Sequence, residues 1–462
     1  KNKIFVSEKI EFDQISLLCN FRATKMLAAV TILILSPLLV VGNFFEYADY
    51  PNICNNEILT LKGYCSSTIS VNFIESPSLK CVSIANSDIR FLEEGSFDGL
   101  PNLIYLNLEG NFIPPNKLFS FGNISNITAL SLNDQRRNSY YDTVLQVNTV
   151  YPKLLYLNLR NTKISRITNT VINPFPQLSY LDLSNNTITS FNFVQLWNNL
   201  ISLNLADNNI KNIGDGYDLD LKGLSSLEHL SIAHNVISYI SGTAFNHTVK
   251  LRYLNISDNY VTAFSTELFT PLNSLEVLIL DNNKFNDIPL IMSSNITTLS
   301  MNCNNITYLM SSPLETLPHL RKLSLAGNRI SYIYSGTFTS QGLLEELYLN
   351  DNELTHLPRN WYQSMKKLRY LNLSGNKFTS IESVLDLANV ALKEVHLDGN
   401  PIMFIETGML KSVPENVTIY LNMNVTRPTS FCRRSYSELS NSELSNSELS
   451  NSELNNSDSE DY

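Results

Sequence analysis

Apolar residues along this chain recur in a fixed frame, L-x-x-L-x-L-x-x-N-x-L, in which the central leucines alternate with polar residues. The frame reads Leu103-Leu106-Leu108-Asn111-Ile113, and returns at Leu178-Leu181-Leu183-Asn186-Ile188, Leu320-Leu323-Leu325-Asn328-Ile330 and Leu368-Leu371-Leu373-Asn376-Phe378. Fourteen copies open at residues 79, 103, 127, 154, 178, 200, 227, 251, 275, 296, 320, 344, 368 and 392, and nine of the thirteen intervals are 24 residues. The alternation predicts a short strand with one buried face in every copy. A unit this small cannot bury its apolar side alone, so copies must stack on one another. The pattern therefore predicts one curved α/β solenoid over residues 79–415, with a parallel β-sheet lining its concave side. Large side chains at the nineteenth place, Phe97, Phe245, Phe269 and Phe338, are expected to fill the rear of each coil. The ninth place is Asn in eleven of the fourteen copies, where it can satisfy backbone groups as the chain leaves the sheet. A buried polar group left unpaired costs about 1–3 kcal/mol, which makes a ladder of such side chains a sensible repeat element.

Solenoid ends expose core and need caps. Residues 43–78, with Cys54 and Cys65, read as the front cap, and 416–435 as the back cap, in which Val417, Ile419 and Leu421 form a degenerate last strand before Cys432. From 436 to 462 the chain repeats S-E-L-S-N, with Leu439, Leu444, Leu449 and Leu454 every five residues. That period places them on no single face of a helix or strand, and with one sign of charge the segment reads as a disordered acidic tail. At the other end, residues 1–25 read as a non-native extension and 26–42 as a signal peptide. Arg22 and Lys25 flank an apolar run from Leu27 to Val41, followed by small residues for cleavage. That run contains Pro37 and falls short of the ~20 residues a spanning helix needs. The expectation is a secreted chain without a membrane span.

Composition narrows the function rather than the fold. At 43% hydrophobic and 16% charged, the 462-residue chain is neither disordered throughout nor polytopic. Its formal charge is −10, and the tail alone carries seven acidic groups and no basic one. Nucleic acid is an unsuitable partner, because a phosphate groove needs a clustered positive field. The six His residues form no H-E-x-x-H, and neither G-x-S-x-G nor a phosphate loop occurs. No enzyme and no cofactor are expected.

Five cysteines follow the signal segment. Cys54–Cys65 is the expected disulfide, with Cys65–Cys81 as the alternative. Cys303 and Cys432 lie 129 residues apart, several repeats, and are expected not to bond. An odd cysteine in a secreted chain points to a link between chains or a free thiol. Cys432 is the candidate for such a link, against a bond to the cap or an unpaired thiol.

The third and fifth places of the frame should face out of the concave sheet. They supply Tyr105, Tyr156, Tyr180, His229, Tyr253 and Tyr370 at place three, and Asn107, Asn158, Asp182, Asn204, Asn255, Tyr348, Asn372 and His396 at place five. Tyrosine and asparagine together suit binding surfaces; exposed strand positions also favour tyrosine for its β-propensity. Partner contact is expected through Tyr105, Asn107, Tyr156, Asn158, Tyr180, Asp182, Asn204, His229 and Tyr253. The lengthened third copy adds a loop with Arg136, Arg137, Tyr140 and Tyr141, a second candidate contact. Sequons at Asn123, Asn126, Asn185, Asn246, Asn255, Asn295, Asn305, Asn372, Asn416 and Asn424 predict a glycoprotein. Asn255 and Asn372 fall on the concave face, so glycans there would leave the early repeats as the freer surface.

The frame resembles the leucine-rich repeat family in its 24-residue extracellular form, over about 340 residues. Within that family the signal peptide, sparse amino-terminal Cys and single Cys after the array are similar to the secreted leucine-rich repeat immune proteins of mosquitoes. The match is to their coil-less type, since no coiled coil follows the repeats. The resemblance implies a protein of insect innate immunity that recognises another extracellular protein. That partner would be a thioester-containing complement-like protein or a second leucine-rich repeat chain. An extracellular adhesion, matrix or receptor-ectodomain-like protein is the alternative.

Overall fold

The computed structural model describes residues 4–5, 54, 58–136, 143–169, 173–192, 197–293, 295–385, 391–402, 417–421 and 432. The segments expected to be a signal peptide (26–42) and an acidic tail (436–462) lie outside these residues, as does most of the expected back cap (416–435). Each of the fourteen copies contributes one three-residue strand to a single parallel sheet of sixteen strands. Leu59–Thr60 adds a strand before the first copy at Cys81–Ser83, and Thr418–Tyr420 adds one after the last at Glu394–His396. The sheet thus runs one rung past the array at each end. Register is set by the fourth place of the frame. Leu106 lies opposite Leu130, Leu157 opposite Leu181, and Leu254 opposite Leu278. A slip of one residue would turn every buried leucine outward.

The leucines at places one, four and six are buried along the array, apart from the half-buried Leu79 that opens it, and Phe97, Phe245, Phe269 and Phe338 are buried behind them. Helix is scarce on the return side. Among the described residues it consists of turns, short strand pairs such as Tyr308–Leu309 with Tyr332–Ile333, and helices no longer than Ser311–Glu315. Strand, ladder and turns use most of a 24-residue coil, and too little chain remains for a longer helix.

Two columns of residues close each strand. The ninth-place Asn acts as predicted: Asn259 Nδ2 donates to the Ile256 and Ile232 carbonyls at 3.1 and 3.0 Å, and its Oδ1 accepts from the Ile237 N–H at 2.9 Å. One side chain therefore ties its own turn to the preceding one. Gln135 makes the same bonds to Leu132 and Leu108, whereas the hydroxyl of Thr162 reaches only the Leu159 carbonyl of its own copy and the Oδ1 of Asn186. The eighth place carries a regularity that the hydrophobic frame does not show. All fourteen copies hold it in the left-handed region, with φ between 51° and 70°. Twelve of them use Asn, Asp or Gly, the residues that tolerate this conformation, and the other two use His234 and Cys303.

The disulfides differ from expectation. Cys54 bonds to Cys81, with Cα atoms 6.0 Å apart, and not to Cys65. Cys81 occupies place three of the first copy, where Cys54 packs against it on the concave face. Cys65 is disulfide-bonded and solvent-exposed, and no free cysteine occurs among the described residues. Cys303 bonds to Cys432 with Cα atoms 5.4 Å apart, so Cys432 is not available for a link to another chain. Sequence separation misleads here because a solenoid advances slowly. Five rungs part the strands at Thr298–Ser300 and Thr418–Tyr420, or about 24 Å at a typical strand spacing. The eleven residues from Leu421 to Cys432 can span about 37 Å.

Candidate recognition surface

The concave face is built from places three and five, and the two places behave differently. At place five the side-chain oxygens of Asn107, Asn158, Asp182, Asn204, Asn255 and Asn372 each accept a hydrogen bond from the backbone N–H two residues on, at 2.8–3.1 Å. This local turn ends the strand. Asn at place five is thus explained by backbone satisfaction before any partner is invoked. Burial raises the carboxyl of Asp182 above the usual carboxylate range, opposed by its bonds to Ser184.

At place three the early tyrosines are more covered than expected. Tyr105 is 7% exposed, enclosed with Cys54, Cys81 and Ala129 in a small cluster, so the front cap takes it out of the contact surface. Tyr253 is also 7% exposed, and burial pushes its hydroxyl up to about 12. Asn204 is buried as well. Tyr156, Tyr180, Asn107, Asn158, Asp182 and His229 are half-buried and still line the sheet, with His229 lowered below the usual imidazole range by burial. In the loop of the third copy, Arg136 lies over the Phe112 ring at 5.7 Å and donates to Asn86 Oδ1 at 3.3 Å. Its companions Arg137, Tyr140 and Tyr141 lie outside the described residues.

A run of four aromatic rings lines the other end of the sheet. Tyr348 and Tyr370 have ring centroids 4.9 Å apart, Tyr370 and His396 5.1 Å, and His396 and Tyr420 4.3 Å in a near-parallel stack. Tyr420, in the strand beyond the last copy, is 42% exposed. Lys322 closes the near end, its Nζ 5.0 Å from the Tyr348 centroid and 3.1 Å from Glu346 Oε2. Tyr348 Oη donates to the same carboxylate oxygen at 3.0 Å. Glu394 and Asp398 lie within 4 Å of the His396 ring nitrogens. Burial, then the nearby Glu394 and Glu346, pushes the Tyr370 hydroxyl up to about 12. Tyr348, Tyr370 and His396 are legible from the frame; Tyr420 follows only when Val417, Ile419 and Leu421 are set in register with it.

The sequons scatter over several faces. Asn123, Asn185, Asn246 and Asn295 are exposed, and Asn126, Asn255, Asn305 and Asn372 half-buried, with Asn416 and Asn424 outside the described residues. Among the described residues, no cluster of His, Cys, Asp or Glu could hold a metal ion, and no helix is long and apolar enough to cross a membrane.

Comparison with known proteins agrees with this construction. The family model described as leucine rich repeat matches residues 198–261, 225–285, 294–354 and 342–402. Lumican of Gallus gallus is 28% identical over 268 residues, covering 50% of this chain and 74% of lumican. Toll-like receptor 3 of Boselaphus tragocamelus is 28% identical over 267 residues, covering 53% of this chain but only 29% of the receptor. Among solved structures, a leucine-rich repeat protein of Leptospira interrogans superposes with a TM-score of 0.59 at 27% identity, covering 74% of this chain and 83% of its own. Sheet, asparagine ladder and matched segments together give the described part of this chain the architecture of a leucine-rich repeat solenoid.

Proposed function

We propose that the chain is a secreted, glycosylated recognition protein that holds another extracellular protein against its concave sheet and performs no chemistry. The observation that carries this reading is the ring ladder of Tyr348, Tyr370, His396 and Tyr420, flanked by Glu346 and Glu394. Rigid aromatic side chains bury large area at low entropy cost, which suits them to binding hot spots. The early patch of Tyr156 and Tyr180 is a secondary contact. The finer assignment, to insect innate immunity with a thioester-containing partner, rests on the resemblance in flanks and repeats. With Cys432 joined to Cys303, contact with that partner is non-covalent. A matrix or adhesion role is the second reading, favoured by alignment over 74% of lumican against 29% of Toll-like receptor 3.

The test is affinity capture from the extracellular fluid of the source with the full secreted chain, followed by titration of the captured protein. Tyr370→Ala and Tyr420→Ala should each weaken it at least tenfold, about 1.4 kcal/mol. Tyr332→Ala, on the outer face, should leave it unchanged. Full retention by both ladder variants would remove the ladder from the interface. Recovery of nothing but further copies of this chain would move the matrix reading ahead.

A further inference from the structure

The ninth copy, opening at residue 275, is 21 residues long between neighbours of 24. Beside it, on the rim where chains enter the sheet, lies an open cavity of about 600 Å³. Lys250, Arg252, Glu276, Asn295, His319 and Arg321 line it, together with Glu228 and the hydroxyl residues Ser274 and Thr297. No Phe, Tyr or Trp and one leucine, Leu343, take part, so polar and charged side chains dominate the lining.

Asn295 is the acceptor of an Asn295-Ile296-Thr297 sequon, and it stands in the wall of this cavity, solvent-exposed. Its Nδ2 donates one hydrogen to the Asn273 carbonyl, which fixes the direction of the amide and leaves its second N–H for a substituent. The surrounding groups match the hydroxyls of a sugar, which both donate and accept. Arg252 uses its Nε and Nη2 on Glu276, at 3.2 and 2.7 Å, and retains donors from the five of a guanidinium. Arg321 is likewise held by Glu345 at 2.7 Å. These ion pairs fix two cationic donors and one carboxylate at the cavity wall without an ordering cost at the time of binding.

We propose that the first sugars of an N-linked glycan on Asn295 occupy this cavity and make it a built carbohydrate seat. The glycan then covers the rim of copies seven to eleven and leaves the Tyr348–Tyr420 ladder open. The inference rests on the secreted, glycosylated reading above, and the experiment separates the two. The full chain is made in a eukaryotic secretory host, and the native protein is digested with an endoglycosidase that cuts in the glycan core. Release is followed site by site by mass spectrometry. The Asn295 glycan should be released at least tenfold more slowly than those on the exposed sequons Asn123, Asn185 and Asn246. Lys250→Ala with Arg321→Ala should abolish that protection.

If Asn295 is bare while other sequons are occupied, or if its glycan is released as fast as theirs, the cavity is not a glycan seat. The same holds if protection survives in the double variant. A chain with no sequon occupied would overturn this inference and the secretory reading together.

Discussion

Asparagine illustrates how position decides what a residue does here. At place nine it is buried, and the amide of Asn259 is the partner of four backbone groups in two turns. Asn259→Leu should therefore destabilise by about 2–4 kcal/mol, since buried donors and acceptors lose their partner. At place five the same residue makes one local bond at the half-exposed sheet surface, so Asn158→Ala should cost less than about 1 kcal/mol. Denaturant unfolding of the two variants measures the difference, and equal losses would refute the assignment of roles. Asp281 makes a second residue-scale prediction. It accepts from Ser300 Oγ and the Asn302 N–H, each at 2.7 Å, yet burial pushes its carboxyl up to about 6 from an ordinary 3.8. A pKa raised in the folded state favours folding at low pH, and that contribution is lost as pH rises through about 6. Between pH 4 and 7 Asp281 should make the native chain progressively less stable. Thermal melts of Asp281→Asn should lack this component; an unchanged pH slope would show that the carboxylate is not its source.

Single coils contact only their neighbours, so constraints act at the level of elements. The Cys303–Cys432 bond ties the tenth copy to a residue beyond the last strand and so brackets five rungs. Disulfides of long loops are worth about 2–4 kcal/mol. In Cys432→Ser, amide exchange should quicken in the strands between Thr298 and Tyr420, with those before Val277 little changed. Uniform acceleration through the array would indicate one cooperative unit instead. On a non-reducing gel the wild-type chain should run without a covalent partner through Cys432. The front bond, Cys54–Cys81, acts locally, sealing the first strands over Tyr105. Neither pairing was legible in the spacing of the cysteines. Bond formation depends on which side chains the coil brings to one face, and chain distance is a poor guide to that when each 24 residues advance the structure by a single strand.

For the whole molecule, the surface is divided among competing occupants. The front cap covers the start of the concave sheet, the rings from Tyr348 to Tyr420 line its far end, and the sequon at Asn372 lies among those rings. Replacing Asn372 by Gln should leave binding at the ladder equal or tighter. A loss would make that side chain, or its glycan, part of the interface. The frame of leucines by itself determined the parallel sheet, its one-strand-per-copy register, the asparagine ladder and the buried phenylalanines. It could do so because these features repeat, and each follows from burying one face of a strand at fixed intervals. The left-handed eighth place was present in the sequence too, as a column of Asn, Asp and Gly, but it is a backbone signal that hydrophobic periodicity does not carry. Only the tertiary structure decided what happens once in the molecule: which cysteines meet, that Tyr105 lies under the cap, that Tyr420 completes a ladder begun three strands earlier, and that a shortened copy lies beside a polar recess next to Asn295. These depend on contacts between residues far apart in the chain, and no local pattern of apolar and polar positions encodes which pairs curvature and stacking bring together.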